Sequence, residues 1–128
     1  MIPPDSSQFD SWALHAVVLS AGDGSAPLDR VVATGDYINH AVFTPEELHA
    51  CLGRLLAGGL VVRRGAAYAP AEEVRAQFAP GPINAQRETA SRIVEQAGVR
   101  TLPPSREAPT VAECAAAIAA YYASARSS

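Results

Sequence analysis

At 128 residues the chain is long enough to bury one hydrophobic core and too short for two domains of ordinary size. Hydrophobic residues make up 48% of it and charged residues 18%, which excludes a disordered chain, and no apolar run approaches the roughly 20 residues that span a bilayer. The net charge of −3 gives no general excess of positive charge for nucleic-acid binding. Residues 1–8 lack the segments of a secretory signal, so we expect a soluble cytoplasmic protein without membrane contact.

The first two predicted helices are separated by a short turn. The first begins at Asp10 or Ser11, either of which can cap a helix, and ends at Gly22. Apolar residues surround it almost completely, which predicts a central helix. After the turn at residues 23–25, an apolar stripe at helical spacing predicts a second helix with Pro27 in its first turn. The stripe consists of Leu28, Val31, Val32, Gly35 and Ile38.

The third helix has the most specific start signal in the sequence. Thr44 and Glu47 have the spacing of a capping box, in which each side chain accepts a hydrogen bond from the backbone amide of the other residue. Pro45 suits the first helical position, and Gly58-Gly59 allows the helix to end. The predicted buried side consists of Leu48, Cys51, Leu52, Leu55 and Leu56.

A β-hairpin is predicted directly after this helix. The largely apolar segments 60–63 and 66–69 flank Arg64-Gly65, a turn signal, and Pro70 closes the second segment. Three helices followed by a tight hairpin predict a mainly α fold with a small β-hairpin wing.

Residues 71–128 are predicted to form C-terminal helices. We expect a short helix at residues 71–78, a longer one at residues 83–97, an extended surface linker at residues 100–109, and a final helix begun by a second capping box, Thr110 to Glu113. The two longer helices carry more apolar and alanine surface than a core of about 70 residues can cover. This predicts a homodimer through the C-terminal helices; the alternative is that they fold back onto their own domain.

No motif indicates catalysis, a cofactor or a metal. Cys51 and Cys114 fall on apolar helix faces, where we expect both to be free and buried. His40 and His49, with Asp36 nearby, lack the paired spacing of metal ligands. Neither a Gly-x-Ser-x-Gly nucleophile elbow nor a glycine-rich phosphate loop is present. The sequence therefore predicts a protein that is not an enzyme and needs no cofactor or metal.

The third helix and the hairpin resemble the winged helix-turn-helix superfamily of bacterial regulators. The likeness is carried by residues 44–48, by the leucine pair and the Ala-Gly-Gly-Leu-Val stretch within residues 52–61, and by the arginines of the hairpin. Residues 35–40 are also similar to those of a set of small bacterial proteins of this shape. The resemblance implies a winged helix-turn-helix domain at residues 9–70. Beyond the likeness, we expect residues 71–128 to form a C-terminal helical extension for dimerisation.

The resemblance also implies a transcription regulator that binds double-stranded DNA. Its third helix would enter the major groove and its wing would contact the backbone. The residues that would face DNA include His49 and Arg54 on the helix and Arg63 and Arg64 on the wing. The outward face as a whole would consist of Pro45, Glu46, Glu47, His49, Ala50, Gly53 and Arg54.

The alternative function is a winged-helix module for protein–protein interaction or assembly without DNA binding. Residues 9–70 hold six acidic residues against four arginines, and two of the acidic residues, Glu46 and Glu47, stand at the end of the third helix that would approach phosphates. This local negative charge favours a protein partner over a nucleic acid.

Overall fold

The computed structural model describes residues 6–127 and the side chains of residues 8–125. The described chain is mainly helical, with a small antiparallel sheet. The helices are α1 (Ser6–Ala21), α2 (Leu28–Asn39), α3 (Pro45–Ala57), α4 (Glu72–Arg75), α5 (Ile83–Ala97) and α6 (Val111–Ser127), with a 3-10 turn at Val99–Thr101. The strands are β1 (Ala26–Pro27), β2 (Val61–Arg64) and β3 (Ala67–Pro70).

Helix α1 lies at the centre of the fold, as its sequence predicts. Its consecutive residues 13–17 are all buried, because it contacts α2, α3 and α5. The predicted start was wrong, since the helix already includes Ser6 and places Asp10 inside it. Asp10 is fully buried there and does not cap the helix.

The sheet has one more strand than the sequence indicates. Residues Ala26 and Pro27 form β1, which pairs antiparallel with β3, so the strand order is β1-β3-β2. Pro27 is consequently the N-cap of α2 and does not lie in its first turn. In the hairpin, Arg64 pairs with Ala67, so the turn consists of Gly65 and Ala66, one residue later than predicted. Gly65 has a φ of 63°, a conformation that favours glycine.

The capping box of α3 is confirmed. The amide of Glu47 donates to Thr44 Oγ1 at 3.1 Å, and the amide of Thr44 donates to Glu47 Oε1 at 2.8 Å. The predicted inner side of the helix is buried at Leu48, Cys51, Leu52 and Leu55, while Leu56 is half-buried at its edge. The second capping box, which joins Thr110 and Glu113 at the start of α6, is also present.

The C-terminal helices fold back onto the rest of the chain. Helix α5 packs along α1, and α6 packs across α2 and α3. One continuous core therefore includes Val94, Val99 and Cys114 together with Leu14 and Leu52. This arrangement is the alternative to the dimer interface, because the inward apolar faces of α5 and α6 are covered within one chain. Within residues 6–127 we find no helix with the length and apolar character needed to cross a membrane.

Candidate functional site

The predicted DNA-facing side of α3 lies beneath another part of the same chain. Residues 102–109, here called the strap, connect the 3-10 turn to α6 and run across this helix. The amide of Ser105 donates to the carbonyl of Gly53 at 2.9 Å. A Cβ atom at Gly53 would lie 2.4 Å from Cβ of Pro104, so only glycine allows the strap to approach this closely. The sequence predicts an extended surface linker here, but Ala108 and Pro109 are buried.

Arg54 does not face outward as predicted. Its guanidinium donates three hydrogen bonds to the Asp10 carboxylate at 2.7 to 3.0 Å, and its side chain is only 14% exposed. Burial alone would lower the pKa of Arg54, but the hydrogen bonds and the charge of Asp10 outweigh burial and raise it. The charge of Arg54 is therefore matched inside the fold and is not presented to a partner.

His49 is also engaged by the C-terminal part of the chain. Its Nδ1 lies 2.7 Å from the carbonyl oxygen of Pro109, at the end of the strap. A carbonyl oxygen only accepts, so Nδ1 carries the hydrogen and donates it. The contact anchors the strap to α3, which makes His49 a structural residue of the covered face.

Arg63 extends from β2 toward the strap and α6. It donates to the carbonyl of Glu107 at 2.8 Å, lies 3.4 Å from the Glu113 carboxylate, and stands over the ring of Tyr68 at 5.4 Å. The backbone amide of Thr110, and with it the Arg63 charge, lowers the pKa of Glu113. Arg63 thus ties the wing to the C-terminal helix, and its side chain is 23% exposed.

Arg64 differs from the other three candidate residues. It is exposed at the end of β2 and makes no ion pair within the described chain. Glu46 is exposed at the start of α3, and Glu47 is held in the capping box. Two charged residues of the predicted DNA-facing side, Arg64 and Glu46, are therefore exposed, whereas Pro45 and Ala50 are half-buried and Gly53 is buried.

The outer face of α6 is an apolar surface on one of the two C-terminal helices for which the sequence predicts a dimer interface. Within residues 111–125 the helix has a single charged side chain, Glu113, which is paired with Arg63. Val111 is 41% exposed and Tyr122 is 44% exposed. We call this surface the α6 face. Its exposed apolar residues are Val111, Ala112, Ala115, Ala116, Ala119, Ala120, Tyr122, Ala123 and Ala125.

Helical spacing alone does not separate the exposed side of α6 from its buried side. Alanine occurs on both sides of α6, and the buried side is marked by Cys114, Ala117 and Ile118. Tyr121, next to the α6 face, donates a hydrogen bond to Asp36 on α2, and this bond raises the pKa of Tyr121. The tyrosine pair therefore divides its roles: Tyr121 holds α6 to α2, while Tyr122 stays at the surface.

The residues considered for metal binding or catalysis are separated in the fold. Among the described residues, no group of three or more His, Cys, Asp and Glu side chains is placed to hold a metal ion. Cys51 and Cys114 are free and buried, as predicted. His40 is exposed at the end of α2, where its φ of 54° closes the helix.

No family model matches the chain, and neither a curated protein nor a solved structure similar to it was found. The winged-helix resemblance therefore depends on the residues that carry it and on the order of helices and strands.

Proposed function

We propose that this protein is a winged-helix module for protein–protein interaction, and that it assembles as a homodimer through the α6 face. Two features support the winged-helix part. The chain runs α1-β1-α2-α3-β2-β3, with the hairpin directly after the third helix, and β1 joins the sheet from the segment between the first two helices. The winged-helix resemblance implies this order, in which three helices are followed directly by a hairpin.

The strap over α3 is the observation that favours a protein partner over DNA. A recognition helix must enter the major groove, which is about 12 Å wide, and a bare helix with its side chains is already about 10–12 Å across. With the strap bound at Gly53 and Pro109 bound at His49, α3 is too thick on this side to enter the groove. Arg54 and Arg63 are in addition paired with Asp10 and Glu113.

The α6 face supports the second copy as the partner. An exposed apolar surface of this kind marks an interaction site. Alanine allows two helices to approach closely, and a face whose one charge is already paired can meet its own copy without like-charge repulsion. A two-fold arrangement with α6 against α6 would bury Tyr122 and Val111, the exposed large residues of that helix.

Light scattering on the full chain tests this proposal. We expect a mass twice the monomer mass of 13.3 kDa that falls to the monomer mass on dilution. Ala119→Arg, in the α6 face, should give a monomer at every concentration. Ala85→Arg is the matched control, because Ala85 is an exposed alanine of α5 away from that face. A monomeric wild-type protein, or a dimer that tolerates Ala119→Arg, would contradict the α6 interface.

A second candidate function is non-specific contact with double-stranded DNA through the wing. The observation that favours it is Arg64, an exposed arginine without an acidic partner in the described chain. A single phosphate contact of this kind contributes affinity without reading sequence.

A further inference from the structure

A groove follows the seam between α1 and α5, away from the α6 face. It consists of two adjoining hollows of about 290 Å³ and about 270 Å³, which share Gln8, Ser11 and Ser91. We call the larger hollow the α1–α5 pocket. Its volume lies near the lower limit of small-molecule sites, roughly 300 Å³. The groove is therefore large enough for a small metabolite.

The charge in the α1–α5 pocket is unbalanced. Arg87 is the one charged side chain among the residues that line it, and no carboxylate does. Its guanidinium is held by neutral oxygens alone: Ile38 O at 2.9 Å, Asn39 Oδ1 at 3.1 Å and Asn84 Oδ1 at 2.9 Å. These bonds use three of the five guanidinium N–H groups and orient the cation at the end of α2. Arg87 is exposed to solvent and makes no ion pair with a described residue, so the remaining guanidinium N–H groups can donate to a ligand.

The wall beside Arg87 is apolar and preformed. Trp12 and Ile38 both line the pocket. The Trp12 indole donates to the carbonyl of Gly35 at 2.9 Å and stacks on Phe43, with ring centroids 3.7 Å apart. These two contacts fix the ring, so a ligand would meet this wall without first having to order it.

His15 adds a polar group that the fold leaves unused. It lines the same pocket and is 1% exposed. Its Nε2 donates to Gln86 Oε1 at 3.0 Å, so Nδ1 is left as a bare acceptor, and Nδ1 has no partner in the described structure. Buried polar atoms are nearly always bonded, and one that is not indicates a missing partner. Nδ1 is inaccessible to solvent and can only accept, so a carboxylate cannot be that partner, and a ligand is indicated instead by Arg87 beside the apolar wall of Trp12 and Ile38.

We propose that the α1–α5 pocket binds a small organic carboxylate, with the carboxylate on Arg87 and the apolar part of the molecule against Trp12 and Ile38. The pocket requires this combination because a bare inorganic anion would leave the apolar wall unused. A neutral molecule would gain no charge-assisted hydrogen bonds from Arg87. This site is independent of the proposed assembly through α6, which lies on other helices.

The test uses benzoate as the probe on the full chain. Trp12 is the sole tryptophan, so its fluorescence and its indole N–H signal report on the pocket directly. We expect saturable shifts in the ¹⁵N–¹H spectrum at Trp12, His15 and Arg87. Benzamide, which has the same shape without the charge, should bind about tenfold more weakly, as should inorganic phosphate, which has no apolar part.

Two variants locate the binding. Arg87→Gln should weaken benzoate binding about tenfold, whereas the matched control Arg92→Gln, an exposed arginine of the same helix outside the pocket, should leave it unchanged. Arg87 also ties α5 to α2, so Ser91→Phe provides a second variant that fills the pocket from an exposed position. Absent saturation, equal binding of benzamide or phosphate, or binding that survives Ser91→Phe would each overturn the proposal.

Discussion

The carboxylate of Asp10, on α1, receives three hydrogen bonds from the guanidinium of Arg54, on α3. Asp10 is fully buried, whereas the side chain of Arg54 is 14% exposed. The two residues are separated by 44 positions, so the pair fixes the crossing of the two helices that form the centre of the fold. The two partners differ in solvent exposure, because the arginine side chain is in contact with water and the aspartate side chain is not.

Loss of Arg54 should therefore destabilise the protein more than loss of Asp10. Arg54→Met leaves a carboxylate buried without a partner and should lower the free energy of unfolding by about 3–5 kcal/mol. Asp10→Asn leaves a partly exposed guanidinium beside a neutral acceptor and should cost clearly less. Urea denaturation of both variants at neutral pH checks the order. Equal losses would show that the pair is not asymmetric in the way its burial indicates.

The close approach of Pro104 to Gly53 reverses the usual effect of alanine in a helix. Gly to Ala inside an exposed helix stabilises it by about 1 kcal/mol, but the added methyl at position 53 would overlap Pro104 and crowd Ala108 at 3.2 Å. We expect Gly53→Ala to lower the melting temperature. Adding Pro104→Gly should restore part of the loss, since it removes the nearest atom. A stabilised Gly53→Ala variant would contradict the contact between α3 and the strap.

Local signals predicted most of the fold because they depend on neighbouring residues. The capping boxes at Thr44 and Thr110 act over three residues, and α5 has the bounds Ile83–Ala97 that its periodicity predicts. Strand β1 was missed because two residues, Ala26 and Pro27, have no period and are extended only through pairing with β3. The early start of α1 was missed because aspartate is a common N-cap residue, and the sequence does not show that Asp10 pairs with Arg54 instead.

The candidate site was less predictable, since it depends on contacts between distant segments. A helical projection of α3 places His49, Gly53 and Arg54 outside the leucine stripe, and this is correct for α3 alone. The strap that covers them lies far along the chain, since His49 and Pro109, which are hydrogen-bonded, are 60 residues apart. The helical glycine at position 53 was the one local sign of a close neighbour. Arg64 is exposed, as predicted, and makes no ion pair in the described chain.

Acid should destabilise the folded protein through His15. Burial lowers its pKa below the ordinary value of 6.5, the Gln86 hydrogen bond opposes that effect, and Arg87 adds to it. At pH about 7.5 the ring is neutral in both the folded and unfolded states. As the pH falls below about 6.5, the unfolded chain binds the proton first, so stability is lost until the folded pKa is reached.

Thermal melts of the wild type and His15→Gln, between pH about 7.5 and about 5.5, isolate this effect. His40 and His49 are present in both proteins and cancel from the comparison. We expect His15→Gln to have a lower melting temperature than the wild type at the higher pH, because it loses the packing of the buried imidazole. Its melting temperature should, however, change less with pH. Parallel curves for the two proteins would rule out His15 as the source of the acid sensitivity.

Neither cysteine should react in the folded protein. Burial raises the pKa of the Cys51 thiol and, to about 12, that of Cys114, and only the thiolate attacks. A disulfide reagent such as Ellman's at pH about 8 should therefore modify both thiols only after denaturation. Ser124→Cys is the positive control, because Ser124 is exposed on α6. Fast modification of the native wild-type protein would mean that α6 opens readily.

The two arginines of the wing should separate DNA contact from stability. Arg63 joins β2 to Glu107 and Glu113, so Arg63→Gln should lower the melting temperature. Arg64 makes no such contact, so Arg64→Gln should leave the melting temperature within error.

If the wing touches DNA, fluorescence anisotropy with a labelled duplex at low ionic strength should show weak binding that Arg64→Gln reduces, with a salt slope smaller by about one. Arg30→Gln, at an exposed arginine of α2, controls for net charge. Should the wild-type protein bind no duplex at low ionic strength, DNA contact through the wing is excluded and protein interaction through α6 stands alone.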